Sequence, residues 1–209
     1  MSAVPALAGC AVLLAGCMTG PIPIGAIPIS AADNAPTIGF QCPKPGTAVT
    51  YGASSLPVTS AGADPADPLV CLGSGARGAP LRRVANLIEP PPGQERAIRD
   101  GLAPLFPIVP GKTAQFGYFQ GYRNERTATG QFMEAWTTVG PDTLQIGGKP
   151  VPTIVFTRGI ENNQRYGTLG IRWRLWFAPE SGVWVRGEPT LLRGDANPRP
   201  FVATSLLVP

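Results

Sequence analysis

Histidine is absent from all 209 residues. That gap removes Ser-His-Asp and Cys-His nucleophilic machinery, imidazole acid–base catalysis, HExxH metalloprotease sites and most zinc or copper centres. Lysine is scarce as well, with only Lys44, Lys112 and Lys149 among the 17 basic residues. No S-x-x-K occurs, so Ser-Lys chemistry has no motif to stand on. The expectation is a protein that is not an enzyme, with no catalytic residue, no metal site and no cofactor. Charge is thin, at 14% of residues, and its net value of +4 is mild. Such an excess suits anionic head groups or cell-wall polymers, and it also serves plain solubility. No basic cluster carries a nucleic-acid-binding pattern, so no nucleic acid partner is expected. The length fits one ordinary domain, or a small one with an extension.

Residues 1–16 hold no charge at all, and Ala6 to Ala15 are small or apolar. A run of ~7 to 15 apolar residues closing on small ones is the core and cleavage site of a secretory signal. It is shorter than the ~20 residues of a permanent membrane helix. The tetrapeptide LAGC occurs twice, ending at Cys10 and at Cys17. Nine residues before Cys10 leave too little room for a signal, so Cys17 is the favoured copy. Leu14-Ala15-Gly16-Cys17 resembles the lipobox of bacterial lipoprotein precursors, although no positive charge precedes the apolar run. The resemblance implies removal of residues 1–16, lipidation of Cys17 and a membrane partner through that N-terminal anchor. Stable attachment needs more than one acyl chain, at ~0.8 kcal/mol per buried CH2. Met18 follows the cysteine where Asp would favour inner-membrane retention, so the implied address is the outer membrane, facing the periplasm.

With Cys10 removed and Cys17 acylated, Cys42 and Cys71 are the thiols that remain. In an oxidising compartment two such cysteines suggest one disulfide. Closing the loop between them would contribute about 3 to 4 kcal/mol. Two buried reduced thiols are the alternative, and a zinc site is a weaker one still, because no histidine completes a ligand set.

Residues 18–80 carry 10 prolines and 9 glycines. Within them PIPIGAIPIS blocks helix and suits an extended tether over 17–38. The 39–80 region offers two short strands, Thr47–Tyr51 and Leu69–Leu72, which a Cys42–Cys71 bond would tie together. The rest, 81–209, reads as helix plus antiparallel β domain. Leu81, Val84, Ala85 and Ile88 fall at helical spacing, with a strand equally compatible over so few residues. Pro90-Pro91-Pro92 ends that element. GQERAIRDGL then predicts two helical turns with Ile98 and Leu102 facing inward.

From Thr113 the apolar period becomes two. Ala114, Phe116 and Tyr118 alternate with Gln115 and Gly117. Met133, Ala135, Thr137 and Val139 alternate with Phe132, Glu134 and Trp136. Val151–Arg158 is β-branched. Gly167–Ala178 is the clearest strand, with Leu169, Ile171, Trp173, Leu175 and Phe177 on one face and Arg172, Arg174 and Trp176 on the other. Pro179-Glu180-Ser181-Gly182 turns into a return strand from Val183, and FVATSLLV supplies a last one. Short turns between strands mean antiparallel pairing. The fold class is therefore mainly β (α+β): a curved antiparallel meander or half-barrel of about six strands, with one or two short helices and an irregular, disulfide-stapled N-terminal part. The stretches LFPIVPGKTAQF and RLWFAPESGVWVR resemble uncharacterised envelope lipoproteins of Gram-negative bacteria over residues 104–190. That resemblance implies the same curved sheet and brings no catalytic residues.

Gly111-Lys112-Thr113 is not a phosphate loop, because Phe106 stands where Walker A needs glycine and a strand pattern follows. The densest aromatic–cationic cluster is Arg172, Arg174, Trp176, Trp184 and Arg186. Trp176 and Trp184 facing each other across a hairpin, with arginines stacked on them, would make a platform for a sugar ring or lipid phosphate. The competing reading is sheet packing alone. Glu134 and Glu188 are carboxylates that could pair with these arginines. Three functions follow in order. The first is a lipid-anchored, non-enzymatic envelope protein binding another envelope component. The second is a carrier or chaperone holding a lipid or other amphipathic ligand in the curved sheet. The third is a carboxylate-dependent hydrolase. An open cavity at Leu169, Ile171, Trp173 and Phe177 would favour the carrier. A sheet face sealed by residues 81–106 would favour the interaction module.

Overall fold

The structure, a computed structural model, describes residues 39–54, 56–75, 77–121, 129–164 and 167–209. The signal segment, Cys17 and the whole of the 17–38 tether fall outside them. The described chain forms one antiparallel sheet of ten strands, not six. In chain order these are β1 Ala48–Tyr51, β2 Val58–Asp64, β3 Asp67–Ser74, β4 Pro80–Val84, β5 Thr113–Gly121, β6 Thr129–Ile146, β7 Lys149–Gln164, β8 Gly167–Ala178, β9 Val183–Arg193 and β10 Phe201–Leu207. One helix, α1 Glu95–Leu102, runs into a 3-10 turn at Ala103–Leu105. The spatial order is β4-β3-β2-β1-β10-β9-β8-β7-β6-β5. The last strand thus joins two meanders, pairing with β1 on one side and β9 on the other.

The strands missing from the sequence reading have physical reasons. β2 reads VTSAGAD, which has almost no apolar alternation, and it is held by pairing with β1 and β3. The segment around Leu81 is a strand followed by a turn, which corrects the helical spacing. Val70 pairs with Val84, and β3 supplies the backbone partners that a helix would have made internally. The buried set Val84, Ala85 and Ile88 survives the correction, because a turn through Ala85 and Asn86 at positive φ swings Ile88 back onto the same core.

β4 and β5 are opposite edges of the sheet, and α1 lies against both. The sheet therefore curls until its edges face each other across the helix. Arg82 on β4 pairs with Glu95 on α1, its Nε 2.5 Å from the carboxylate, and also with Asp64. Gln94 Oε1 accepts the edge N–H of Phe119 on β5 at 3.1 Å. Ile98 and Leu102 point into the curl, each burial contributing about 2 kcal/mol. Gly101 lets the helix approach β5, since a Cβ there would strike the Phe116 ring. The inner face is filled: Val70, Val84, Ile98, Leu102, Leu105, Phe116, Trp136, Phe156, Leu175, Phe177 and Trp184 form one buried cluster.

Strand alternation sends the intervening residues to the other face, where a second core forms. Val155, Trp176, Val183 and Val185 meet Val49 and Ala203 there. Ile146, at the tip of the long β6–β7 hairpin, closes it. The hairpin reaches this far because a bulge between Thr138 and Gly140 breaks its register and bends it over the sheet.

The N-terminal part is pinned to the β8–β9 turn. Cys42 and Cys71 are bonded, with Cα atoms 5.4 Å apart. Gln41 Nε2 donates to Pro179 O at 3.2 Å, and Asn86 Nδ2 donates to Gly182 O at 2.9 Å. Gly182 sits at φ 69, and a side chain there would collide with the Gln41 carbonyl.

Candidate functional site

The two faces of the sheet hold two different polar arrangements. On the inner face Phe116, Glu134, Ile160 and Ile171 lie side by side across four strands. Glu134 is 1% exposed. Its Oε1 accepts from Tyr118 Oη at 3.0 Å and Arg158 Nη2 at 2.5 Å. Its Oε2 accepts from Trp136 Nε1 and Arg158 Nε, both at 2.8 Å. Four donors saturate this carboxylate, which leaves it no lone pair for a substrate proton. Burial, followed by the charge of Glu134, pushes the Tyr118 hydroxyl well above its ordinary value. Arg158 also lies 5.2 Å over the Trp136 ring. This network is the polar keystone of the core, and a buried charge of this kind is kept only when paired.

On the outer face the same strands present Ala135, Thr137, Thr157 and Gly159. None of these is larger than threonine, and together they floor a groove of about 460 Å3. Arg172 stands on its β8 side, directly across from Gly159. Met133 and Leu192 wall the groove, each 47% exposed. Glu161, also on the groove, is met by Arg193 at 3.3 Å.

The sequence-singled cluster divides between these faces. Trp176 is on the outer face and 3% exposed. Its Nε1 donates to Asp142 Oδ2 at 2.9 Å, and the guanidinium carbons of Arg174 and Arg186 both lie 4.9 Å from its ring. That indole bond first, then the Thr143 N–H and the two arginines, hold the Asp142 carboxyl below the usual carboxylate range. Arg186 also pairs with Glu188. Trp184 lies on the inner face, 4.9 Å from Phe177 and 5.3 Å from Phe156, and its Nε1 donates to Ala85 O at 2.7 Å. The expected cross-hairpin pairing of Trp176 with Trp184 is therefore corrected. A register shift beside Trp176 sets Trp184 opposite Phe177 and Arg186 opposite Trp176. Trp176, covered by guanidinium groups, leaves no open ring for sugar stacking.

Glu134 and Glu188 are on opposite faces of the sheet, so they cannot close on one bond as an acid and base must. Among the described residues no group of three His, Cys, Asp or Glu side chains could hold a metal ion. Asp142 and the small-residue floor escaped the sequence reading. Ala135 and Thr137 did stand in an alternating row, but nothing in the chain told which rows of neighbouring strands would align.

The fold and faces together define a curled, ten-stranded antiparallel sheet with a filled interior and a polar outer groove. Among solved structures the chain is similar to the crystal structure of the hypothetical lipoprotein YmcC from Escherichia coli (K12), with 14% identity and a TM-score of 0.44 over 80% of this chain and 88% of that one. At that identity the likeness assigns no residue and no activity. No protein-family model matches the chain, and no curated protein matches it significantly.

Proposed function

We propose that this is a lipid-anchored, non-enzymatic protein of the bacterial envelope, held at the outer membrane through Cys17, which binds another envelope component with the outer face of β5–β9. The Cys42–Cys71 bond carries the reading. A disulfide belongs to an oxidising compartment, and a lipobox-like segment sits upstream of it. Among the described residues no helix is long and apolar enough to cross a membrane. A carrier that shelters a lipid tail inside the curl needs an empty inner face. Ile88, Ile98, Leu102 and Leu105 fill that space against Leu175 and Phe177, which favours binding at the surface.

The test is mass spectrometry of the chain recovered from a Gram-negative host. The expected mature protein begins at Cys17, carries acyl mass there and keeps Cys42 bonded to Cys71. The Cys17→Ser chain should retain residues 1–16 and lose the acyl mass. A free Cys17 thiol with the leader still attached would overturn the proposal.

A further inference from the structure

The outer groove has three properties that no fold requirement explains. First, its floor is small: Ala135, Thr137, Thr157 and Gly159 come from neighbouring strands and align through cross-strand register. A Cβ built on Gly159 would meet only the Ala135 carbonyl oxygen, at 3.8 Å, so the fold leaves room there for a larger residue. Second, the ion pairs are unevenly shared. Arg82, Arg96, Arg99, Arg158, Arg186 and Arg193 each pair with a carboxylate, whereas Arg172, on the groove itself, forms no ion pair among the described residues. Its cross-strand neighbours Gly159 and Thr190 are too short to engage it. Arg174, two residues on along the same face, forms no ion pair among the described residues and rests on Trp176, with Glu188 opposite it and its charge acting on Asp142. Third, Met133 and Leu192 are exposed on the rim of the same groove.

A cation in no ion pair, a shallow small-residue floor and an apolar rim are complementary to an anion joined to a hydrocarbon chain, the groove's own carboxylate Glu161 being held by Arg193. The volume lies within the ~300 to 1,000 Å3 of small-molecule sites. Guanidinium forks match phosphate oxygens in paired hydrogen bonds, and a second arginine about two residues along the strand suits the double charge of a phosphate monoester. We infer that this groove binds a phosphate-bearing, single-chain amphiphile, with Arg172 on the phosphate, Arg174 as its second cation and the chain lying over Ala135 and Gly159 toward Met133 and Leu192. This deepens the reading that the outer face is the binding face and rests on it.

The experiment is titration calorimetry on the full chain in neutral maltoside micelles, with dodecyl phosphate as the probe. Saturable binding of one dodecyl phosphate per chain is expected. Inorganic phosphate alone should bind at least about tenfold more weakly, because it forgoes the apolar contacts. Arg172→Ala should weaken dodecyl phosphate about tenfold by removing a charge-assisted bond. Gly159→Leu should abolish binding by filling the floor. Arg199→Ala, an exposed arginine elsewhere, should leave it unchanged. Equal losses for Arg172→Ala and Arg199→Ala would mean charge attraction to the micelle and would overturn the inference, as would inorganic phosphate binding as tightly as the amphiphile. Should Gly159→Leu lose the near-ultraviolet dichroism of the folded chain, Arg172→Ala and Arg172→Glu still decide. Absent binding with an acylated Cys17 sinks the groove ligand alone, whereas an unacylated Cys17 sinks the anchor whatever the calorimeter reads.

Discussion

Arg158 and Arg172 occupy adjacent strands of one sheet and differ in the face they leave by. Arg158 points inward, where Glu134 takes two of its N–H groups and two aromatic donors complete the carboxylate. Arg172 points outward, opposite a glycine and a threonine, and forms no ion pair among the described residues. The inner charge is tolerated because every partner is present, since an unpaired charge in that setting would cost several kcal/mol. The outer charge needs no partner from the fold, because water serves it. An unpaired inner arginine would be a defect, whereas an unpaired outer one costs the fold little. On the proposed reading, the inner ion pair serves stability and the outer arginine serves the ligand.

The sharpest way to break this division is to remove the inner carboxylate. Glu134→Ala leaves Arg158, whose side chain is 14% exposed, without its counter-charge, and strips Tyr118 and Trp136 of their acceptor. A loss of about 3 to 5 kcal/mol in urea unfolding is expected. A loss under about 1 kcal/mol would mean that the inner face is wetter than its packing implies. The double change Glu134→Leu with Arg158→Leu should recover much of that stability, because an apolar pair replaces a buried ionic one.

A smaller effect comes from Tyr51, which sits between the two cores. Its hydroxyl donates to Trp184 O at 2.9 Å, and burial pushes its pKa up to about 12. The unfolded chain ionises this group near ~10, and ionisation then favours the unfolded state. Its contribution is therefore complete below about pH 10 and is lost as pH climbs through about 12. Tyr51→Phe should raise the midpoint of alkaline unfolding followed by circular dichroism. An unchanged midpoint would show that Tyr51 ionises without opposing the fold.

How far the two faces could be read from the chain depends on the kind of signal. β8 has the bounds Gly167–Ala178 that its alternation predicted, and Ile98 and Leu102 of α1 are buried as their spacing required. Both are local periodicities, which the chain displays directly. Trp176 and Trp184 show the limit. Their faces depend on a bulge in the β8–β9 pairing, and one slipped residue reverses a side chain's direction. The bend of the β6–β7 hairpin is likewise a single bulge inside 18 residues of continuous strand, and that strand extends past both ends of the alternation read over 132–139. β2 was hidden because pairing with two neighbours, and not its own apolar content, holds it. The groove was least legible of all, since its floor exists only once the strands are in register.

The smallest expected effect is the most discriminating. Arg172→Ala and Thr157→Val alter the outer groove and touch none of the buried bonds on the inner face. Each should change unfolding free energy by no more than about 0.5 kcal/mol, the usual range for surface positions. Thr157 is the stricter probe, because the exchange keeps a β-branched side chain of similar shape and removes only a hydroxyl. If either substitution costs as much as Glu134→Ala, the outer face is a structural layer and its open arginine is holding the sheet together. If both are neutral in urea while Arg172→Ala alone changes the affinity for an anion, the faces divide their work as their partners suggest. The same urea transitions, run on the three variants together, answer the question without any knowledge of the ligand.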